Sequence, residues 1–221
     1  MTESNPPTPT AAEYWERRYR EHGRTWSGRV NAALEREVAG VEPGTALDLG
    51  SGEGGDALWL ARRGWTVTAV DISPTALAVG ASQQHADDAI TWVAADLAEW
   101  MPPTRYDLVA ASFLHSTVDL PREAILRRGA AAVADGGLLV IIGHAGVPHW
   151  AGEEHAHADG PLLPTPDEVL AALFDAESAL VRAEWSIVTA ALIERPVTAP
   201  DGSPSTIDDS VLTLRRDGGG R

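Results

Sequence analysis

The residues best suited to chemistry lie in one stretch of the chain, from Ala46 to Ser73. An apolar strand there runs into a glycine-rich turn, GSGEGG over residues 50–55, which is followed by a helical pattern. A second strand, Thr66 to Val70, then ends on Asp71. Glycines allow a backbone to approach a ligand closely, and an acid at the end of the second strand can accept hydrogen bonds from ribose hydroxyls. The stretch therefore predicts a β-α-β unit that binds an adenosine-bearing cofactor.

Asp48 indicates which cofactor this unit binds. The spacing of Gly50, Gly52 and Gly55 fits the dinucleotide fingerprint GxGxxG, so the glycines alone leave a nicotinamide dinucleotide and S-adenosylmethionine open. Asp48 lies at the end of an otherwise apolar strand, where an unpaired carboxylate is costly. Such an acid suits the ammonium group of S-adenosylmethionine and would repel a pyrophosphate. A role for Asp48 in capping the turn is the alternative.

These motifs resemble those of class I S-adenosylmethionine-dependent methyltransferases. DLGSGEGGD (48–56) is similar to the first motif of that family, and VDIS (70–73) to the second. VAADL (93–97) resembles the adenine-side motif, and YDLVAASFLHS (106–116) the fourth strand with its active-site loop. The opening YWERRYREHGRTWSGRVNAAL is similar to small bacterial methyltransferases of the tellurite-resistance and thiopurine type.

The resemblance implies a fold, a reaction and a set of cofactor contacts. The expected fold is α/β, a Rossmann-like doubly wound seven-stranded sheet, mostly parallel with an antiparallel last strand. The expected reaction is in-line methyl transfer from S-adenosylmethionine to a small-molecule thiol, chalcogen, hydroxyl or amine. The cofactor contacts that we predict are Asp48, Gly50, Ser51, Gly52, Glu53, Asp71, Ile72, Ser73, Asp96, Leu97, Ser112, Phe113 and Trp26.

Two histidines are our candidates for catalysis, His115 in the loop after the fourth strand and His149 further along the chain. Histidine is the usual proton acceptor near neutral pH, and a soft thiolate acceptor needs no strong base. The alternative for His115 is a packing role in the wall of the cofactor pocket.

A histidine-rich segment follows the fifth strand. His149 belongs to it, together with His144, His155 and His157. We interpret residues 144–165 as a lid-like loop and predict no bound metal. The alternative is a metal site, since His155 and His157 would share one face of an extended segment.

Composition limits the remaining possibilities. The 221 residues suit a single domain, which we place at 11–216 with a helical cap at 11–42 and disordered tails at 1–10 and 217–221. The chain has no cysteine, and all 17 basic residues are arginine. The absence of lysine excludes the Tyr-x-x-x-Lys pair of short-chain dehydrogenases. A nicotinamide-dependent reductase is therefore the weaker alternative.

Charge and motif content argue against a macromolecular substrate. The net charge of −15 disfavours nucleic acid, and the Asn/Asp-Pro-Pro-Tyr motif of nucleobase methyltransferases is replaced by ASFL at 111–114. The strongest apolar run, Leu138 to Ile142, is too short to cross a bilayer. We expect a cytoplasmic enzyme that acts on a small molecule. A non-catalytic protein that uses His144 to His157 for binding is the third alternative.

Hydrophobic periodicity and turn residues predict the elements that position these groups. Predicted helices cover residues 11–21, 30–39, a stretch around 57–61, 74–84, 121–134 and 166–174, and predicted strands cover 46–49, 66–71, 90–95, 106–112, 138–143, 181–193 and 210–215. Ligands of open α/β sheets bind at the carboxyl ends of the strands, so we expect the loops after the first five strands to face the cofactor.

Overall fold

The structure is a computed structural model that describes residues 9–22, 27–145 and 163–218. Its helices are α1 (Ala11–His22), α2 (Ala32–Glu37), α3 (Gly55–Arg62), α4 (Pro74–Ala81), α5 (Arg122–Ala131) and α6 (Pro166–Leu173). Its strands are β1 (Thr45–Leu49), β2 (Thr66–Asp71), β3 (Ile90–Ala94), β4 (Tyr106–Ser112), β5 (Val133–Ala145), β6 (Trp185–Thr198) and β7 (Pro204–Arg216). No helix among the described residues is long and apolar enough to cross a membrane.

The seven strands form one sheet in the order β3-β2-β1-β4-β5-β7-β6. Strands β1 to β5 run parallel to one another, whereas β7 runs antiparallel to both β5 and β6. The predicted fold is therefore confirmed. Strand order reverses between β1 and β4, and this reversal opens a crevice at the carboxyl ends of the strands.

Both faces of the central strands are buried, because their side chains alternate between two apolar layers. Leu49 and Val109 pack toward α5 and α6, where Leu126 is also buried. Leu108 points to the opposite layer, where it shares a cluster with Leu60 of α3. Burial on both faces is typical of parallel strands with helices on either side.

The end of α5 differs from the prediction. We expected a helix to residue 134, yet α5 ends at Ala131 and β5 begins at Val133. Val133 is fully buried and pairs with Tyr106 of β4, while the next paired residue of β5 is Leu138. The alanine-rich sequence of residues 130–134 is compatible with a helix. Burial of Val133 against the sheet favours the extended form instead.

The carboxyl-terminal hairpin is longer than predicted. We expected residues 196–209 to form a connecting loop, but β6 continues to Thr198, and its pairing with β7 resumes at Pro204. The prolines misled the prediction. Pro196 lies on β6, the edge strand of the sheet, and Pro204 is the first residue of β7. Edge strands and first strand positions both tolerate proline.

Gly129 of α5 allows the helix to lie close to the sheet. A Cβ atom at Gly129 would lie 2.8 Å from Leu49 Cδ1 and 3.3 Å from Val109 Cγ1. Both of these side chains are buried in the core, so neither has room to move away.

We predict that Gly129→Ala lowers the free energy of unfolding by about 1–3 kcal/mol, the usual cost of overpacking a core. Helix propensity alone would give the opposite sign, a gain of about 1 kcal/mol. Gly40→Ala is the matched control, because a Cβ there would meet nothing within 4 Å. Urea denaturation measures both variants, and equal stability of the two would contradict the packing argument.

Candidate functional site

The glycine turn after β1 has a backbone that requires glycine. Gly50, Gly52 and Gly54 have φ angles of 75°, 53° and 76°, which L side chains rarely adopt. The amides of Gly50 and Ser51 both donate to the Val70 carbonyl, at 2.9 and 3.0 Å, and so attach the turn to the end of β2. A Cβ at Gly50 would lie 2.8 Å from Leu114 Cδ1. The loop after β4 therefore closes directly over this turn.

Asp71 joins the two loops expected to hold the cofactor. Its carboxylate accepts hydrogen bonds from Gly52 N at 2.8 Å and from Ser73 N at 2.9 Å. Burial raises the pKa of Asp71, while these backbone hydrogen bonds oppose the rise. Each carboxylate oxygen retains capacity for a further donor, so the group can still receive a ribose hydroxyl.

Asp48 is a buried carboxyl whose charge is not compensated. It is 2% exposed, and its Oδ2 has no hydrogen-bond partner among the described residues. Burial raises the pKa of Asp48 well above its ordinary value, and the carboxyls of Asp56 and Asp71 raise it further. The hydroxyl of Ser51 is also buried without a partner in the described ranges of the chain. Buried polar atoms of this kind need a ligand, and an ammonium group would satisfy Asp48.

Asp56 is a third buried acid that the sequence analysis did not select. It lies in the first turn of α3 and accepts a hydrogen bond from Asn31 N at 2.7 Å. Burial raises the pKa of Asp56, and interactions with Asn31 N and the Ser112 side chain lower it. The acid thus docks the start of α2 against the glycine turn, and it adds to the negative field around Asp48.

Helix α1 spans the crevice. Glu16 accepts hydrogen bonds from Ser73 Oγ and Thr75 Oγ1, both at 2.6 Å, at the start of α4. On the other side, Trp15 Nε1 donates to Ser116 Oγ at 3.2 Å, in the loop after β4. Trp26, the aromatic residue predicted to contact the cofactor, lies outside the described residues.

Two imidazoles lie at the carboxyl ends of β4 and β5. The ring of His144 stacks on Phe113 with centroids 4.2 Å apart, and His115 lies 6.0 Å from His144 in a nearly parallel orientation. Phe113 has a φ angle of 53°, which is uncommon for a residue other than glycine. His115 Nε2 and His144 Nδ1 are both buried without a hydrogen-bond partner in the part of the chain that the structure describes.

Both imidazoles are neutral at neutral pH. Burial, together with the Arg122 guanidinium and His144, lowers the pKa of His115 to about 4. Burial also lowers the pKa of His144, whereas Asp209 acts in the opposite direction. A neutral His115 has one ring nitrogen free to accept a proton, so this side chain fits the predicted role.

Two residues of the hairpin formed by β6 and β7 lie against the side chains of His144 and Phe113. Asp209 of β7 accepts two hydrogen bonds from Arg195 of β6, at 2.7 and 3.2 Å, and its Oδ1 lies 4.0 Å from His144 Nδ1. The guanidinium of Arg195 also lies over the Phe113 ring, 5.9 Å from its centroid. Sequence reasoning missed Arg195 and Asp209, because no local pattern links them to the loop after β4.

The other predicted cofactor contacts lie along the same edge of the sheet. Asp96 is exposed, and Leu97 is buried after β3, with its carbonyl accepting a hydrogen bond from Arg128 Nη2. Ile72 and Ser112 are half-buried at the ends of β2 and β4. The contacts of these residues with a cofactor stay predictions, as do those of Gly50, Ser51, Gly52, Glu53, Ser73 and Phe113.

The histidine-rich segment lies mostly outside the described residues. His149, the second candidate for catalysis, is among them, as are His155 and His157. Within the described ranges, no group of three or more histidine or acidic side chains could hold a metal ion. The lid and metal hypotheses for this segment therefore stay untested.

The chain shares sequence and fold with known methyltransferases. Residues 46–137 match the family model of the methyltransferase domain, and no curated protein matches the chain. A solved structure from work on the conversion of a disulfide bond into a thioacetal group during echinomycin biosynthesis is 26% identical. It aligns over 95% of this chain and 94% of its own, with a TM-score of 0.62.

Two further solved structures have similar folds. DhpI in complex with SAH is 24% identical over 93% of this chain and 95% of its own, with a TM-score of 0.59. TehB from Haemophilus influenzae is 15% identical over 91% of this chain and 67% of its own, with a TM-score of 0.63. The domain match covers the glycine turn and Asp71, and the structural likeness extends over nearly the whole chain. Residues 46–137 thus form a methyltransferase domain, and the chain has the fold of S-adenosylmethionine-dependent methyltransferases.

Proposed function

We propose that the protein methylates the sulfur of a small-molecule thiol by in-line displacement, with S-adenosylmethionine as methyl donor. The observation that carries the proposal is His115 Nε2, a buried, neutral nitrogen at the carboxyl end of β4 that has no partner among the described residues. When bound, the cofactor supplies an electrophilic methyl group on its sulfonium. The protein then has to align the acceptor sulfur and receive its proton.

The buried acids account for cofactor binding in this proposal. Asp71 would accept the ribose hydroxyls while it holds Gly52 and Ser73 in place. Asp48 would bind the ammonium group of the methionine arm, since its Oδ2 lacks any other partner among the described residues. Gly52 has no side chain, and its backbone would allow close approach of the cofactor.

His115 would take the thiol proton. A free thiol has a pKa of about 8.5, so at neutral pH most of it is protonated and a weak nucleophile. A neutral imidazole in hydrogen-bond reach can receive that proton as the carbon–sulfur bond forms. A sulfur acceptor suits a base whose pKa is as low as that of His115, because thiols lose their proton more readily than alcohols.

Sulfur is also the acceptor element that the comparisons favour. The solved structure that is 26% identical over most of both chains comes from work on a disulfide and a thioacetal. The net charge of −15 and the lack of the nucleobase motif support a small molecule over a nucleic acid. Other chalcogens, hydroxyls and amines are alternative acceptors that the first experiment distinguishes.

We predict that S-adenosylmethionine and S-adenosylhomocysteine stabilise the protein and that thiols are methylated. A ligand at a hundredfold excess over its Kd adds about 2.7 kcal/mol to the free energy of unfolding, so the melting temperature rises. NAD(H) and NADP(H) should leave it unchanged. Mass spectrometry of a panel of thiols, selenols, alcohols and amines identifies the methylated atom. Methylation of alcohols or amines but not of thiols would overturn the sulfur assignment.

We predict that Asp71→Asn weakens S-adenosylhomocysteine binding by about 1.5–3 kcal/mol, the value of a hydrogen bond to a charged group. Asp48→Asn should weaken binding of the same ligand but leave the affinity for adenosine unchanged, because Asp48 contacts the other end. Calorimetry with both ligands measures these effects. Equal loss of adenosine affinity in the two variants would show that Asp48 does not bind the methionine arm.

Asp48→Asn should also stabilise the protein without ligand, and increasingly so at higher pH. The pKa of Asp48 is raised in the folded state, so the parent loses stability as the pH rises from the ordinary Asp range through this raised value. Asparagine has no such charge to bury. Urea denaturation across this pH range tests the trend, and a constant difference between the two proteins would contradict it.

We predict that His115→Gln lowers the turnover of a thiol about 100-fold at neutral pH, the lower end of the contribution of a positioned base. Affinity for S-adenosylhomocysteine should stay within about threefold. At pH 9 to 10 the thiol ionises without help, so the variant should approach the parent rate. His85→Gln, in the loop before β3, is the control and should change neither quantity. A defect in His115→Gln that persists at high pH would argue for a packing role.

A further inference from the structure

We propose that the methyl acceptor is a thiol acid whose carboxylate binds Arg122, the first residue of α5. The inference rests on the proposed function and adds the chemical class of the substrate to it. It depends on a cationic side chain that lies beside His115 and has no acidic partner of its own in the described part of the chain.

Arg122 is held in place through one edge of its guanidinium. Its Nε donates a hydrogen bond to the Leu114 carbonyl at 2.9 Å, in the same loop as His115. It forms no ion pair within the described ranges, unlike Arg127 on the same helix, which is paired with Asp175. The side chain is half-buried, so its remaining N–H groups are partly removed from water.

The guanidinium lies close to the proposed base. A Cβ at Gly143 of β5 would be 2.8 Å from His115 Nε2 and 4.0 Å from Arg122 Nη2. Both nitrogens therefore lie close to the same position beside β5. The positive charge contributes to the low pKa of His115. Burial lowers the pKa of Arg122 itself, and the neighbouring Glu123 carboxylate opposes this change only in part.

A cavity of about 230 Å³ lies on the outer side of Arg122, between α5 and α6. Its walls include the apolar side chains Leu126, Val169 and Leu173, and two glutamates, Glu123 and Glu168. The Glu168 carboxylate is occupied by Thr165, from whose N and Oγ1 it accepts hydrogen bonds at 2.8 and 2.9 Å. Among the described residues that line this cavity, Arg122 is the one cationic side chain.

The charges that line the cavity, one guanidinium and two carboxylates, favour a ligand with a single negative charge. One guanidinium can bind a carboxylate through two parallel hydrogen bonds and neutralise its single charge. A phosphate with nearly two charges would leave one unbalanced beside Glu123, in a protein whose net charge is −15. A carboxylate on Arg122 would place the rest of a short molecule beside His115 Nε2, where the thiol proton has to go.

The test measures kcat/KM for S-adenosylhomocysteine formation with mercaptoacetate, 3-mercaptopropionate and 4-mercaptobutyrate and with the corresponding neutral amides. The parent should prefer at least one acid over its amide by about 10-fold or more. Arg122→Gln should lower that preference by about 10- to 100-fold, the range for a hydrogen bond to a charged group. Arg122→Lys should retain much of it.

Arg127→Gln is the control, because it removes a guanidinium from the same helix without touching the proposed site. It should keep the preference for acids, even if its melting temperature falls. A structural role of Arg122 in holding the Leu114 loop would lower the rates with acids and amides equally, and this result would overturn the inference. Stronger inhibition of the acid reaction by inorganic phosphate than by acetate would overturn the choice of a carboxylate.

The outcomes separate this inference from the proposed function. Transfer to thiols without a preference for acids would leave the function standing and remove only the role of Arg122. The absence of transfer to every thiol, in protein that binds S-adenosylhomocysteine, would overturn the proposed function and this inference with it.

Discussion

The organisation of the crevice depends on one buried carboxylate, that of Asp71, which receives amide hydrogen bonds from the glycine turn and from the loop after β2. A charge in this position would be unfavourable alone, and the two backbone donors make it tolerable. This carboxylate links the two loops beyond the last pairing of β1 with β2, at Leu49 and Val70. Ser73 is held by the same acid, and its hydroxyl then binds Glu16 of α1. The helix over the crevice is therefore positioned, through Ser73, by Asp71.

Three acids within one crevice create a tension between stability and function. Asp48, Asp56 and Asp71 are all buried, and burial raises the pKa of each. A fold selected for stability alone would replace Asp48 by an uncharged residue, since no group among the described residues compensates its Oδ2. The field that makes this region costly is also what attracts a sulfonium ligand with an ammonium group. Binding of a cationic ligand would relieve this unfavourable electrostatic energy, and the relief would contribute to the affinity.

Sequence reasoning was most successful where neighbours along the chain determine the structure. The glycine turn, the strand ends at Asp48 and Asp71, and the start of α4 at Ser73-Pro74 follow from local rules about φ angles, burial and capping. It failed at residues 132–134, where a pattern compatible with a helix gave way to pairing with β4. Arg122, Arg195 and Asp209 were missed for a related reason. Their importance comes from partners brought close only by the folded sheet.

The hairpin of β6 and β7 has a consequence for the order in which the protein becomes functional. Arg195 and Asp209 contact the Phe113 and His144 side chains, yet they are synthesised well after the strands that carry those rings. Strand β7 also inserts between β5 and β6, so β5 has an open edge until β7 has left the ribosome. Contacts between such distant positions form slowly, because a long loop must close first. On a translating ribosome, strands β1 to β4 can therefore pair while the surroundings of His144 and Phe113 still lack β6 and β7.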